Sequence, residues 1–428
     1  MPTRRQFIQT GLAATATAAT LPSLHAQEKN EKSSLPASIA TLKSMKSQAT
    51  PITVEERRER IARARQLMAE NKLDAIVIAP GTSLMYFSNI RWWPSERFFA
   101  MILPAKGNPF YVCPAFEEGR AREQISRGPL GDSADVRIWQ EDEDPYARLA
   151  QGLKDHGIAT GRVGIEETMY YVFSSGLSKA ASSAQFTSAT PVTAGCRGVK
   201  SAHELELMRF ANKVTLTAYE AAWKALHPGM TNRDFASLIA KAHDQLGFEG
   251  GAMVLVGEYS ALPHGTIQPQ TIKENDIVLI DGGCEAEGYN SDISRTFAIG
   301  KPTDKMKRVF DIVHRAQTAA FKAAKAGNTC GSVDDAARKV ITDAGFGPDY
   351  KYFTHRLGHG IGLDGHEWPY LVRGNKTMLQ RNMTFSDEPG IYIRGEFGVR
   401  LEDDQVITEN GGELMTPQSP SLEQPFAS

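Results

Sequence analysis

Three histidines, His355, His359 and His366, fall within residues 352–369 of a 428-residue chain that has ten histidines in all. Gly358, Gly360, Gly362 and Gly365 stand between them and let the backbone turn tightly or approach a neighbour closely. Alone, the stretch fits a glycine-rich loop whose histidines hydrogen-bond locally. Its company changes the reading. Asp281 and Asp292 lie upstream in an alternating β pattern, and Glu388 and Glu402 lie downstream in another. One imidazole with four carboxylates is a ligand set for a pair of divalent ions; its oxygen-rich character favours Mn2+, with Co2+ or Zn2+ as alternatives. Carboxylates can bridge two ions about 3.5 Å apart, and such a pair makes hydroxide available near neutral pH.

The elements that position these groups are legible in outline. Asp281 ends the apolar run 277–280, and Asp292 follows 292 − 281 = 11 residues later, with Gly282, Gly283 and Gly288 between. A hairpin of that length sets both carboxylates side by side on one face. An acid ending an apolar strand is costly unless paired or metal-bound, although a turn or helix-cap aspartate also explains Asp281 alone. Glu388 precedes Pro389-Gly390 and Glu402 follows Val399-Arg400-Leu401, strand-like settings that disfavour Glu. Arg400 shares a strand face with Glu402 and is expected to hold a carboxylate by a bidentate pair.

Helical periodicity predicts helices from Ala202 to about Leu226, after Thr231, from Thr303, and from Ser332 with Asp335. Strands are expected at 277–281, 289–298, 383–386, 390–393 and 399–407. Helices flanking a mostly antiparallel sheet make residues 196–428 an α+β domain, and the repeated order of elements hints at two related halves. Residues 51–195 read as a smaller α/β domain. A capping box, Thr53 with Glu56, opens an amphipathic helix, and strands are expected at 73–79, 97–103 and 109–112. Trp92 and Trp93 cannot share a strand face, so one is expected to be exposed or covered by a partner, in a packed loop, an interface or a lid.

The chain opens with Thr3-Arg4-Arg5-Gln6-Phe7-Ile8 and a weakly apolar run over 11–21, which predicts a twin-arginine signal peptide, residues 1–26. The run is too short for a membrane anchor. Export of the folded protein to a periplasmic or extracellular location is expected, with residues 27–50 as a flexible linker. Without the leader, 48 − 2 = 46 basic residues face 50 acidic ones. That near-neutral balance, with no basic stripe, argues against nucleic acid or a membrane surface as partner. Cys113, Cys196, Cys284 and Cys330 are far apart without zinc-site spacing, and buried thiols are expected.

Four strings sharpen the reading: L-P-H-G-T from Leu262, G-H-G-I-G-L-D-G-H-E from Gly358, D-E-P-G-I-Y from Asp387 and G-V-R-L-E-D from Gly398. With the ligand order Asp281, Asp292, His359, Glu388, Glu402, they resemble the pita-bread metallopeptidases. That family includes methionine aminopeptidase, Xaa-Pro aminopeptidase and Xaa-Pro dipeptidase (prolidase). The resemblance spans about residues 53–410, and an α/β domain ahead of the catalytic one is similar to the creatinase and prolidase branch. It implies a pita-bread catalytic domain behind a creatinase-type N-terminal domain. It also implies an Xaa-Pro dipeptidase in which a metal-bridging water or hydroxide attacks the scissile carbonyl. Asp281 would bind one ion, Asp292 and Glu402 both, and His359 and Glu388 the second. Glu388 would transfer the proton, His264 and His366 would contact the substrate and steady the tetrahedral intermediate, and Tyr392 and Arg400 would orient groups behind them. His355 and Arg356 would shape the substrate pocket, with Arg356 as the cation for a free carboxylate. Asp387 departs from the family, which has an apolar residue there. A homodimer is expected. Alternatives are an Xaa-Pro aminopeptidase on longer peptides, a related small amide or ester hydrolase, and a non-catalytic peptide binder.

Overall fold

The computed structural model describes residues 35–426; the expected signal peptide and the start of the linker lie outside the described residues. Residues 36–50 correct the expectation of a flexible linker. Ala37–Ala40 forms a helical turn with Ile39 fully buried, Ser38 Oγ donates to the Ala221 carbonyl at 2.8 Å, and the Met45 amide donates to the Leu246 carbonyl at 2.8 Å. One buried side chain and two long-range hydrogen bonds fix a segment whose composition is otherwise that of a tether.

The N-terminal domain is built on a mixed sheet of β1 (Ala75–Ile78), β2 (Ala100–Pro104), β3 (Phe110–Pro114), β4 (Asp135–Trp139), β5 (Arg162–Ile165) and β6 (Gln185–Ser188). The strand order is β4-β3-β2-β1-β5-β6. Ile76 and Ile78 of β1 enter one core and Ala75 and Val77 the other. Burial on both faces is why β1 reads as an unbroken apolar run. The Val54–Glu70 helix starts at the Thr53–Glu56 capping box and buries Ile61, Ala64, Leu67 and Met68. Trp92 is 8% exposed and stacked on Phe99, whereas Trp93 is 82% exposed; both lie in the loop between the Thr82–Ser88 helix and β2, outside any strand.

The catalytic domain has two antiparallel sheets. In the first, β7 (Gly250–Val256), β8 (Ile277–Ala286) and β10 (Ile293–Ala298) run in the order β10-β8-β7, with the short β9 (Tyr289–Asn290) paired to the far end of β8. The second comprises β11 (Gly358–Gly360), β12 (Glu367–Leu371), β13 (Thr384–Asp387), β16 (Asp403–Thr408) and β17 (Gly411–Leu414), in the order β12-β11-β13-β16-β17. A hairpin of β14 (Gly390–Ile393) and β15 (Phe397–Arg400) adjoins them. The Ala202–Trp223 and Asn232–Leu246 helices pack on the first sheet, and the Asp304–Ala323 and Cys330–Ile341 helices on the second. Helix, helix, antiparallel sheet therefore occurs twice.

Three expectations change. The fourth helix begins at Thr329, whose hydroxyl caps the Ser332 amide, instead of at Ser332. The runs 289–298 and 399–407 are two strands each, β9 with β10 broken at Ser291 and Asp292, and β15 with β16 broken at Leu401 and Glu402. The third is β7, which the pattern did not announce. The halves are stitched where the acids lie. Thr296 Oγ1 donates to the Arg400 carbonyl at 2.7 Å, and the Glu402 amide donates to the Ser294 carbonyl at 3.1 Å. Among the described residues no helix is long and apolar enough to cross a membrane.

Candidate metal centre

The five expected ligands come together from five segments. Donor atoms of Asp281, Asp292 and Glu402 lie within 4.8 Å of one another, as do those of His359, Glu388 and Glu402, and those of Asp292, His359 and His366. Asp281 sits in β8 directly opposite Ser294 of β10. Asp292 lies in the gap between β9 and β10, so the two aspartates converge without being a cross-strand pair. His359 is the middle residue of β11. A side chain on Gly358 would meet the Ser386 carbonyl at 2.0 Å, and one on Gly360 the Trp368 carbonyl at 2.1 Å. Glycine on either side of His359 is what lets β12 and β13 close around it.

Hydrogen bonds fix which atoms face the cluster. His359 Nδ1 lies 3.2 Å from the Gly360 carbonyl, which can only accept, so Nδ1 carries the proton. Nε2 then presents its lone pair, 3.4 Å from Glu388 Oε1 and 3.9 Å from Asp292 Oδ2. Burial, with His366 beside it, pushes this imidazole down to about 4, so it is neutral at pH 7 as a metal ligand must be. Arg400 Nη2 pairs with Asp281 Oδ2 at 2.5 Å, Nε donates to Ser294 Oγ at 2.9 Å, and Nη1 donates to Tyr392 Oη at 3.0 Å and the Pro263 carbonyl at 3.1 Å. This corrects the expected bidentate pair: the guanidinium spends its other donors on three different partners. Ser294 Oγ in turn faces Asp281 Oδ1 at 2.8 Å and Glu402 Oε2 at 2.6 Å.

The electrostatics are those of an anion-rich site. Burial pushes the carboxyls of Asp292 and Glu402 well above the usual range; the charge of Asp281 adds to both, and that of Asp292 adds to Glu402. Burial likewise lifts Glu388 to about 8, against the pull of Arg400. Asp281 alone is held low, because Arg400, Ser294 and Glu402 together outweigh its burial. Four carboxylates thus share one hydrogen-bonded guanidinium. Two divalent cations would neutralise the carboxylates, and the neutral Nε2 donor completes an oxygen-rich set. The residues fit a dinuclear centre.

The remaining expected residues surround this cluster. His366 is exposed and stacks on His359, ring centroids 3.6 Å apart at 17°. Arg356 is exposed; among the described residues its guanidinium makes no hydrogen bond or ion pair, and it lies over the Tyr370 ring at 4.5 Å. Its charge, after burial, is the main influence holding the His366 imidazole down. His264 is exposed in the loop after Pro263 and also acts on His366 and His355. His355 is corrected. Its Nδ1 donates to the Arg356 carbonyl at 2.8 Å and its Nε2 accepts from Tyr392 Oη at 2.7 Å, so neither ring nitrogen is free for a peptide. Burial pushes this imidazole down to about 3, and it braces Tyr392, itself buried.

Three residues escaped the sequence reading. Ser294 links two ligands to Arg400. Ser386 Oγ accepts from the His359 amide at 3.1 Å and donates to Glu388 Oε1 at 3.3 Å. Asp404 Oδ2 accepts from the Asp292 amide at 3.1 Å. Ser294 stands two residues after Asp292, at the start of β10, and that closeness in sequence was the available signal. Asp387 is fully buried opposite Asp403, held by Gln405 Nε2 at 3.3 Å. Burial raises its carboxyl well above the usual range, and it is in none of the three donor groups.

Comparison with known proteins agrees with this geometry. Residues 206–409 match the model of metallopeptidase family M24, and residues 60–199 that of the creatinase/prolidase N-terminal domain. The chain is 35% identical over 371 residues to the Xaa-Pro dipeptidase of Lactobacillus delbrueckii subsp. lactis, covering 83% of this chain and 96% of that one. The chain belongs to metallopeptidase family M24. The crystal structure of dipeptidase PepE from Mycobacterium ulcerans superposes with a TM-score of 0.81 at 34% identity, covering 87% of this chain and 99% of that one. An X-Pro aminopeptidase from Thermotoga maritima superposes at 0.72 with 30% identity, covering 85% and 99%. The family's two-domain architecture, a creatinase-type N-terminal domain before a pita-bread catalytic domain, is the fold described above, and the protein is a hydrolase of the peptidase class.

Proposed function

We propose that the chain is an Xaa-Pro dipeptidase whose substrates are dipeptides ending in proline. The observation that carries this reading is Arg356. A dipeptide presents a free carboxylate just beyond the scissile bond, and burying that charge unpaired costs several kcal/mol. Arg356 supplies a guanidinium without a carboxylate partner among the described residues, three positions before His359 and close enough to influence His359, His366 and Glu388. Arg400, the other cation of the site, is occupied by Asp281. The similarity to Xaa-Pro dipeptidases points the same way.

In this reading Asp281, Asp292, His359, Glu388 and Glu402 hold two divalent ions, Mn2+ on ligand hardness. The ions, when bound, supply Lewis acidity toward water and the scissile carbonyl. Glu388 takes the proton of the attacking water and hands it to the departing proline nitrogen. His264 and His366 hold the carbonyl oxygen as negative charge develops on it. Arg400 and Tyr392, braced by His355, keep Asp281 in place. Arg356→Ala should raise KM for Ala-Pro by about tenfold, the equivalent of about 1.4 kcal/mol, and leave a tripeptide with proline second almost unaffected. Equal effects on both substrates, or a wild type that prefers the tripeptide, would favour the aminopeptidase reading.

Export through the twin-arginine route belongs to the same proposal and rests on Arg4 and Arg5. Replacing both by Lys should strand the protein in the cytoplasm; unchanged export refutes it. A homodimer is proposed from the exposed Trp93, and light scattering of the wild type at micromolar concentration decides it, a fully active monomer refuting the assembly.

A further inference from the structure

His366 is presented on the turn Gly362 to Glu367, and among the described residues its imidazole makes no hydrogen bond of its own. What fixes the turn is an ion cluster on its far side. Glu367, next to His366, is buried, and its carboxylate receives Lys200 Nζ on Oε1 at 2.6 Å and Arg197 Nη2 on Oε2. The same Arg197 nitrogen reaches Asp364 Oδ2 at 2.5 Å, two residues before His366. Thr82 Oγ1 donates to the other oxygen of Asp364 at 2.5 Å, and Arg197 Nη1 approaches Ser83 Oγ at 3.4 Å. From the opposite side Asn290 Nδ2 donates to the carbonyls of Gly362 and Leu363, both at 3.0 Å. Gly362 has no room for a side chain: a Cβ would stand 2.6 Å from Glu367 Oε1 and 2.8 Å from Lys200 Cε. The turn is closed down onto the ions.

Thr82 and Ser83 belong to the N-terminal domain, and Arg197, which ends the Thr190–Arg197 helix just past the expected boundary at 195, falls within residues 60–199 matched as creatinase/prolidase N-terminal domain. Two cations face two carboxylates, so the cluster is neutral. Replacing a buried ion cluster of this kind by apolar packing is often neutral or stabilising, so net stability does not by itself account for it. One guanidinium grips the turn on both flanks of His366.

We propose that Arg197 is a positioning residue for hydrolysis: through Asp364 and Glu367 it holds the His366 turn so that the imidazole meets the reacting carbonyl. The N-terminal domain thereby takes part in setting the turnover rate. The inference rests on the dipeptidase reading, in which His366 contacts the substrate.

The test is a double-mutant cycle on the full chain loaded with Mn2+, assayed on Ala-Pro. Arg197→Met, of similar length and without charge, should lower kcat by about tenfold with KM changed less than about twofold, the pattern of an interaction made only in the transition state. Ion content per chain should stay at the wild-type value. In a His366→Ala background, Arg197→Met should cause no further loss, since the two act through one imidazole. Should Arg197→Met fold poorly, Asp364→Asn, whose side chain is 40% exposed, takes its place with the same non-additivity and a smaller effect. Independent, additive losses, or an unchanged kcat, overturn the proposal. A wild type inactive on Ala-Pro overturns the dipeptidase reading and this inference with it; an active wild type with additive variants overturns the inference alone.

Discussion

Ser294→Ala should weaken ion binding while leaving every ligand in place. The hydroxyl has one proton, so it donates to Asp281 Oδ1 or Glu402 Oε2 at any moment while accepting from Arg400 Nε at 2.9 Å. Removing it deletes one bond to a ligand carboxylate and leaves Arg400 Nε without that acceptor. Hydrogen bonds to charged groups contribute about 1.5–3 kcal/mol each. At about 1.4 kcal/mol per tenfold, loss of one such bond weakens binding by roughly tenfold to a hundredfold, the range for partners that orient metal ligands. Arg400 keeps Asp281, Tyr392 and the Pro263 carbonyl, so the fold survives. Isothermal titration of Mn2+ into metal-stripped protein reads the change directly, and kcat/KM at saturating Mn2+ should recover most of the wild-type value. Affinity within twofold of wild type would show that the hydroxyl does not orient the ligands, and the reasoning fails.

Other perturbations test other parts of the account. Burial pushes the Glu166 carboxyl up to about 7, so the folded chain holds this proton more tightly than the unfolded chain and stability is lost as pH rises from 4.5 toward 7. Glu166→Gln should therefore gain up to about 3 kcal/mol relative to wild type at pH 8, and much less at pH 5, in urea unfolding; an equal gap at both pH values refutes it. Trp92→Ala should cost about 3–5 kcal/mol by emptying its place against Phe99 and Arg120, whereas Trp93→Ala should stay within about 0.5 kcal/mol. Thermal denaturation of the monomeric fraction separates the two, and equal losses would contradict the burial assigned to Trp92.

The ligand order was legible because an acid at the end of an apolar strand is conspicuous: Asp281 after Ile277–Ile280 and Glu402 after Leu401 both break a hydrophobic pattern. β1 was legible for the same reason, as a run buried on both faces. β7 was not, because it opens with Gly250-Gly251 and its first four residues are only half-buried. The order of residues 36–50 was hidden because it depends on two hydrogen bonds to residues nearly two hundred positions away, which no local pattern encodes. The freedom of His355 was misread likewise: its partner Tyr392 is 37 residues on. Register was the other hidden quantity. Ser294 faces Asp281 only because β10 pairs with β8 in one register out of several that the glycine-rich hairpin permits.

The central claim is that five side chains from two halves of one domain hold two divalent ions. Metal analysis by plasma mass spectrometry of the purified wild type and of Asp292→Ala and Glu402→Ala, each after reconstitution with Mn2+ and gel filtration, tests it most directly. The wild type should retain about two ions per chain, in proportion to its four carboxylates, and lose peptidase activity when a chelator removes them. Each variant should fall to one ion or fewer, since each residue lies in two of the donor groups or joins them. Two ions retained by both variants, or full activity in a wild type stripped of metal, would contradict the account.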